Sequence, residues 1–131
     1  MRNILSYRGI VGTKDCNELN HMSMTQYIDK FDKAGRRCFM ELGLSRQEVV
    51  ALEQKTNYYR ETNAGDLIDI RSTLINVDDK TFTLLHRMYN EETQELVGKM
   101  KIVYANFDKR SKRAVSWGVA KRGELTDRIE H

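Results

Sequence analysis

Between residues 24 and 42, apolar or small residues return every three or four positions: Met24, Tyr27, Ile28, Phe31, Ala34, Gly35, Cys38 and Leu42. This spacing predicts an amphipathic helix with one continuous buried stripe. Asp29, Lys30, Lys33, Arg36, Arg37 and Glu41 fall on its opposite face. Ser23 with Gln26 three residues later reads as a capping box. Gly43, which tolerates positive φ, reads as the stop. Ser45 opens a second, short helix with Glu48 at its capping-box position. Gly35 in mid-helix costs about 1 kcal/mol relative to alanine, so another backbone is expected to approach this face closely.

Most of the remaining chain follows a strand pattern. Strands are predicted over 4–13, 55–62, 67–77, 80–89 and 95–107. Turns fall at Asn63-Ala64-Gly65-Asp66, at Asp78-Asp79 and over 90–93. Within 80–89, Phe82, Leu84, His86 and Met88 share one face, so His86 reads as a satisfied core or interface histidine. The last three strands form an antiparallel meander. The polar segment after Ser111, with its lone Trp117, yields no element. One helix and one sheet must cover each other's apolar faces. The expected architecture is therefore α+β, a long central helix packed on a curved antiparallel sheet. It forms a single domain over 1–131, with the tail 111–131 unassigned.

The 131 residues are 40% hydrophobic and 31% charged, ordinary for a globular chain. With 22 basic against 19 acidic residues, net charge is +3, too balanced to argue for nucleic acid. Basic residues thicken late, at Lys109, Arg110, Lys112, Arg113, Lys121 and Arg122. That is a solvated tail or a site for phosphates. Cys16 and Cys38 form no CxxC pair, so no metal site is expected, and two free thiols fit a reducing compartment. The start, MRNILSYRGIVG, lacks the apolar core of a signal peptide. No run approaches the roughly 18 apolar residues of a membrane span. The expected location is the cytoplasm, with no membrane partner.

The helix is preceded by an unusually polar loop: Asp15-Cys16-Asn17-Glu18-Leu19-Asn20-His21-Met22-Ser23-Met24-Thr25-Gln26-Tyr27. With the layout above, this stretch resembles the hotdog-fold acyl-CoA thioesterases of the 4-hydroxybenzoyl-CoA thioesterase type, whose motif here is D-x-D-x-x-G-H-x-N-x-x-x-Y. Asp15, His21 and Tyr27 match, Ser23 stands where Asn is common and Asn20 replaces the Gly. Asn17 stands where the family places its catalytic carboxylate. Glu61-Thr62-Asn63-Ala64-Gly65-Asp66 looks like the family's turn between the second and third strands. The resemblance covers about Leu5 to Arg110.

The resemblance implies hydrolysis of an acyl-CoA thioester in a site built from the polar loop and the helix start. The polarising amide maps to the backbone N–H of Met24. Because Asn17 is no carboxylate, three readings stay open. Glu61, Asp15 or Glu18 supplies the carboxylate, with Glu61 preferred because betaine- and carnitine-linked relatives carry a similar glutamate. Alternatively Asn17 orients water or the thioester while His21 is the base. Otherwise the chain only binds an acyl-CoA or acyl-carrier thioester. A dehydratase of the same fold is a weaker option. Ser23, Tyr27, Tyr59 and Thr62 are the substrate-binding candidates, and Arg87, Lys109, Arg110 and Arg113 the coenzyme A phosphate candidates. The resemblance also implies homodimers or homotetramers joined through sheet edges, and no cofactor beyond the coenzyme A of the substrate. The acyl group expected is small, or betaine- or carnitine-related.

Each site residue also has a plain structural role. His21 and Asp15 serve as loop-fixing residues, Asn17 as an Asx-turn residue and Glu61 as a strand-end carboxylate beside Arg60. Of Tyr58 and Tyr59, which face opposite sides of a strand, one lines a pocket at most.

Overall fold

The computed structural model describes residues 3–44 and 49–129. The chain runs β1 (Ile4–Ile10), a 3₁₀ turn (Thr13–Asp15), α1 (Met24–Glu41), β2 (Val49–Tyr58), β3 (Leu67–Val77), β4 (Thr81–Asn90), β5 (Leu96–Asp108), β6 (Arg113–Ala114) and α2 (Val119–Thr126). The strands form one antiparallel sheet in the order β1-β3-β4-β5-β2, with β6 paired to β5. The predicted meander is β3-β4-β5. The curved sheet holds α1, whose buried face presents Tyr27, Phe31, Ala34 and Cys38 to Ile68, Ile70, Leu74, Leu84 and Met88. At 18 residues α1 makes about five turns, so the helix expected to be long is of middling length.

Several boundaries move for physical reasons. β1 stops at Ile10 because residues 13–15 tighten into a turn around Asp15. β2 begins at Val49 rather than at 55 and ends at Tyr58. It is an edge strand paired only with β5, and its run of exposed residues from Ala51 to Lys55 carries no alternation to read. Ser45 and Glu48 of the expected short helix lie outside the described residues, and the chain from Val49 onward is strand. Met24, placed on the apolar stripe, is 67% exposed, whereas Lys30, placed on the polar face, is 3% exposed.

The ends of α1 differ. At the C-terminus Gly43 has φ +70, its N–H donates to the Met40 carbonyl and that of Leu44 to the Phe39 carbonyl. This is a Schellman cap. The tail reinforces it, since Lys121 Nζ of α2 donates to the Leu42 and Gly43 carbonyls at 3.2 and 3.3 Å. Trp117 and Leu125 are buried, and the Trp117 ring lies 5.8 Å from that of Phe82. At the N-terminus Ser23 is the N-cap residue, yet its side chain caps no N–H. Its Oγ lies instead 3.3 Å from Thr25 Oγ1, so the expected capping box does not form.

Gly35 makes room for a side chain rather than for a backbone. A Cβ there would sit 2.8 Å from Tyr104 Oη and 3.9 Å from His86 Nε2. His86 is fully buried, with Nδ1 2.5 Å from Ser72 Oγ, which lies 2.6 Å from Ser6 Oγ. Ser6 Oγ donates to the Ile70 carbonyl at 3.1 Å. Following the donors back assigns the proton to Nδ1 and leaves Nε2 a bare acceptor. Among the described residues Nε2 has no partner, so the histidine expected to be satisfied is only half so. Burial pushes His86 down to about 4, so it is neutral at physiological pH. Burial likewise pushes the Cys38 thiol up to about 11, which leaves it unreactive.

Gly35→Ala is expected to lower stability in chemical denaturation by about 1–3 kcal/mol through overpacking, despite the helix-propensity gain of about 1 kcal/mol. Tyr104→Phe in the same chain should recover most of the loss, because it removes the clashing oxygen. A Gly35→Ala protein as stable as wild type would refute this packing.

Candidate active site

The loop ahead of α1 is anchored by a buried ion pair. Asp15 Oδ2 lies 3.3 Å from Lys30 Nζ, with side chains 13% and 4% exposed. The same oxygen accepts the Gly12 N–H at 3.0 Å, and the Asp15 carbonyl accepts the Ser23 N–H at 3.0 Å. Burial works to raise the Asp15 pKa, but the Gly12 N–H and the Lys30 ammonium outweigh it and hold the carboxyl below its usual range. Asp15 is thus an ionised strut, turned toward Lys30 and away from the cavity.

Asn17 acts on the loop itself. Its Oδ1 accepts the N–H of Leu19 at 2.9 Å and of His21 at 3.2 Å, an Asx-type arrangement. Its backbone N–H donates to the His21 carbonyl at 2.9 Å, so His21 is clasped from both sides of its residue. Asn20, at the motif's glycine position, has φ +63, a left-handed conformation that Asn adopts more readily than most residues.

Two main-chain contacts carry the post-β2 segment to this loop. The Met22 N–H donates to the Thr62 carbonyl at 2.6 Å, and His21 bridges Asn63. Asn63 Nδ2 adds a bond to the Asn20 carbonyl at 2.9 Å. Glu61 is thereby set beside His21, with His21 Nε2 3.0 Å from Glu61 Oε2. The pair opens on a cavity of about 380 Å³ lined by His21, Met22, Met24, Tyr27, Tyr58, Tyr59, Arg60 and Glu61. The Tyr27 hydroxyl lies 2.8 Å from Thr62 Oγ1 and donates to the Arg60 carbonyl at 3.2 Å. Burial pushes Tyr27 up, which keeps it a neutral hydrogen-bonding group. The Tyr58 ring stands edge-on to it at 5.1 Å. The uncapped first turn leaves the N–H groups of Met24 and Thr25 without acceptors among the described residues.

The structure therefore gathers His21, Met24, Tyr27, Tyr59 and Glu61 in one cavity, with Thr62 buried behind it. Both Tyr58 and Tyr59 line it, because β2 ends at Tyr58 and the alternation that would separate them ends there too. Met22 and Arg60 are lining residues that periodicity does not mark. Asp15, Asn17 and Ser23 shape the loop rather than the wall, and Glu18 is exposed on it. The phosphate candidates are not brought to the cavity within one chain. β5 passes the cavity at Val97 and Gly98, while Lys109, Arg110 and Arg113 follow its far end, and thirteen strand residues span about 40 Å. Arg87 lies on the sheet face opposite α1. No cluster of three or more metal-ligating residues occurs among the described residues.

The chain matches the family model described as the thioesterase-like superfamily over residues 11–121. A Staphylococcus aureus protein solved in complex with CoA matches at TM-score 0.87 and 18% identity, covering 100% of this chain and 89% of its own. A 1,4-dihydroxy-2-naphthoyl-CoA thioesterase from Synechocystis matches at 0.81 and 11%, covering 94% and 96%. A hexameric broad-specificity acyl-coenzyme A thioesterase matches at 0.77 and 13%, covering 96% and 94%. At these identities the likeness establishes the fold, a hotdog. No curated protein matches the chain in sequence.

Asp15→Asn leaves Lys30 buried without its counter-charge, which is expected to cost roughly 3 kcal/mol. The Asp15 contribution is present above its ordinary pKa of 3.8 and is lost as pH falls through the lower folded value. Thermal melts of both proteins from neutral pH downward check this: the gap should close in acid. A variant as stable as wild type at neutral pH would remove the strut assignment.

Proposed function

The chain belongs to the thioesterase-like superfamily, and from that premise we propose that it hydrolyses an acyl-CoA thioester to free acid and CoA. The observation that carries this is the His21–Glu61 pair, 3.0 Å apart, beside the uncapped first turn of α1. The thioester carbonyl oxygen accepts from the N–H groups of Met24 and Thr25, where the helix dipole favours developing negative charge. Glu61, oriented by His21, takes a proton from the attacking water. The tetrahedral intermediate then breaks its C–S bond, and the departing thiolate takes up the proton. No metal or redox cofactor is needed for these steps.

Three tyrosines and a carboxylate around a small cavity favour a small acyl group, betaine- or carnitine-related, whose ammonium rests against Tyr58 and Tyr59. Arg60 is the cation at the cavity itself. Arg87, Lys109, Arg110 and Arg113 reach CoA phosphates only from a neighbouring subunit. The open edge of β2, with Leu52 58% exposed, is where a second chain pairs to form a homo-oligomer. Cys16 and Cys38, both free, favour a cytoplasmic setting. A non-hydrolytic acyl-CoA or acyl-carrier binding protein is the second reading. It is favoured by the amide at position 17 and the engagement of Asp15 with Lys30.

Free-thiol release from short, long, aromatic and betainyl CoA thioesters tests the proposal. Wild type should turn over, best with the betainyl thioester, and Glu61→Gln should lower kcat by about 10²-fold or more with KM little changed. A preference for neutral long chains would sink the cationic acyl group. Silence from wild type with activity gained by Asn17→Asp would establish the binding reading instead. Separately, Leu52→Asp on the β2 edge should shift the mass measured by light scattering toward the monomer.

A further inference from the structure

Two ion pairs divide the charges at the cavity. Besides tyrosines, its ionisable lining residues are His21, Arg60 and Glu61. Glu61 keeps to His21, with Oε2 3.0 Å from Nε2. Arg60, the next residue back in the chain, keeps to Glu95, with Nε 2.8 Å from Glu95 Oε2. Glu95 lines no part of the cavity and stands in the β4–β5 turn, just ahead of β5. The main chain fixes both ends of this second pair. In the turn, Asn90 Oδ1 accepts the N–H groups of Glu92 and Thr93 at 2.9 and 3.2 Å. The Asn90 N–H in turn donates to the Glu95 carbonyl at 3.0 Å. Across from it, the Arg60 N–H donates to the Val97 carbonyl at 3.4 Å, and the Arg60 carbonyl accepts the Tyr27 hydroxyl at 3.2 Å.

Half-exposed ion pairs add little stability, so the fold has small need of this one. Its effect is on where the guanidinium lies. An arginine stays charged at every working pH. Released from Glu95, Arg60 would be drawn to the adjacent carboxylate, Glu61, or to a carboxylate carried in by the substrate. Either way the cavity would lose the net negative sign that Glu61 gives it. Held by Glu95, Arg60 is neutralised from outside, and Glu61 is left to His21 and to the incoming acyl group. We propose that Glu95 is a positioning residue that sets the charge preference of the acyl site by holding Arg60. With the tie in place the site selects for a cationic and against an anionic acyl group, and without it the selection weakens or reverses. The proposal rests on the thioester reading of the cavity and names the residue, outside that cavity, on which its choice of acyl charge depends.

The test compares wild type, Glu95→Gln, Arg60→Gln and the double variant on three CoA thioesters of one shape and different charge. These are betainyl-CoA, its uncharged isostere tert-butylacetyl-CoA, and anionic malonyl-CoA. The readout is the ratio of kcat/KM for each charged thioester to that for the neutral one, which a general loss of activity does not move. In Glu95→Gln the cationic ratio is expected to fall about five-fold and the anionic ratio to rise by a similar factor. Glu95→Asp, which keeps the charge, should recover part of both. In the Arg60→Gln background, adding Glu95→Gln should move either ratio less than about two-fold. Should Glu95→Gln fold poorly, Glu95→Ala replaces it. Unmoved ratios with turnover intact would overturn the proposal and leave the hydrolase standing. An equal change for all three thioesters would also overturn it, placing Arg60 at the CoA portion they share. So would a shift of the same size with and without Arg60, which would make Glu95 act on the substrate directly. If wild type hydrolyses none of the three, binding of their non-hydrolysable thioether analogues is measured by calorimetry in the same variants. The expected ratio shifts there would uphold the charge selection and refute the hydrolase reading, and unmoved ratios would overturn the selection as well.

Discussion

A lysine ammonium held inside the protein organises the site. Lys30 sits on the inner part of α1 and must find a counter-charge there, because an unpaired buried cation costs far more than the helix gains. Asp15 answers it from the loop. Once that carboxylate is fixed, its main chain receives the Ser23 N–H, and the loop from Cys16 to Met22 closes upon itself as a bridge. His21 stands on the loop that this tie anchors, and main-chain bonds to the post-β2 segment set Glu61 beside it. Asp15 therefore braces the loop without lining the cavity.

Much of the architecture was legible in the hydrophobic pattern, and the failures have a common cause. β3 matches its predicted bounds because its strand pattern is bounded by turns on both sides. β2 was misread because an edge strand with solvent around it has no reason to alternate. Lys30 was placed outside because its partner lies fifteen positions earlier in the chain and meets it only in the folded state. Gly35 was read correctly as a close approach, but a phenol makes that approach where a backbone was expected. The tail was silent because its anchors, Trp117 and Leu125, are isolated apolar residues with no period to announce them.

The site was legible as a set of residues and not as an arrangement. Resemblance pointed to His21 and Glu61 separately, while their contact depends on a forty-residue return of the chain that spacing does not reveal. Asn17 shows the converse. Its place in the motif suggested chemistry, and its hydrogen bonds describe a clasp on the loop. The three-tyrosine wall also emerged only with the end of β2, which places Tyr58 and Tyr59 on one cavity.

The seam between the loop and the post-β2 segment has a consequence for how such a site changes over time. His21 and Glu61 are held by main-chain bonds, Met22 to Thr62 and the His21–Asn63 bridge, which any side chain at positions 21 or 61 leaves intact. The scaffold and the reagents are thus separable. Reactive groups can be exchanged, moved across the seam or retired one at a time, while the cavity that receives them keeps its shape.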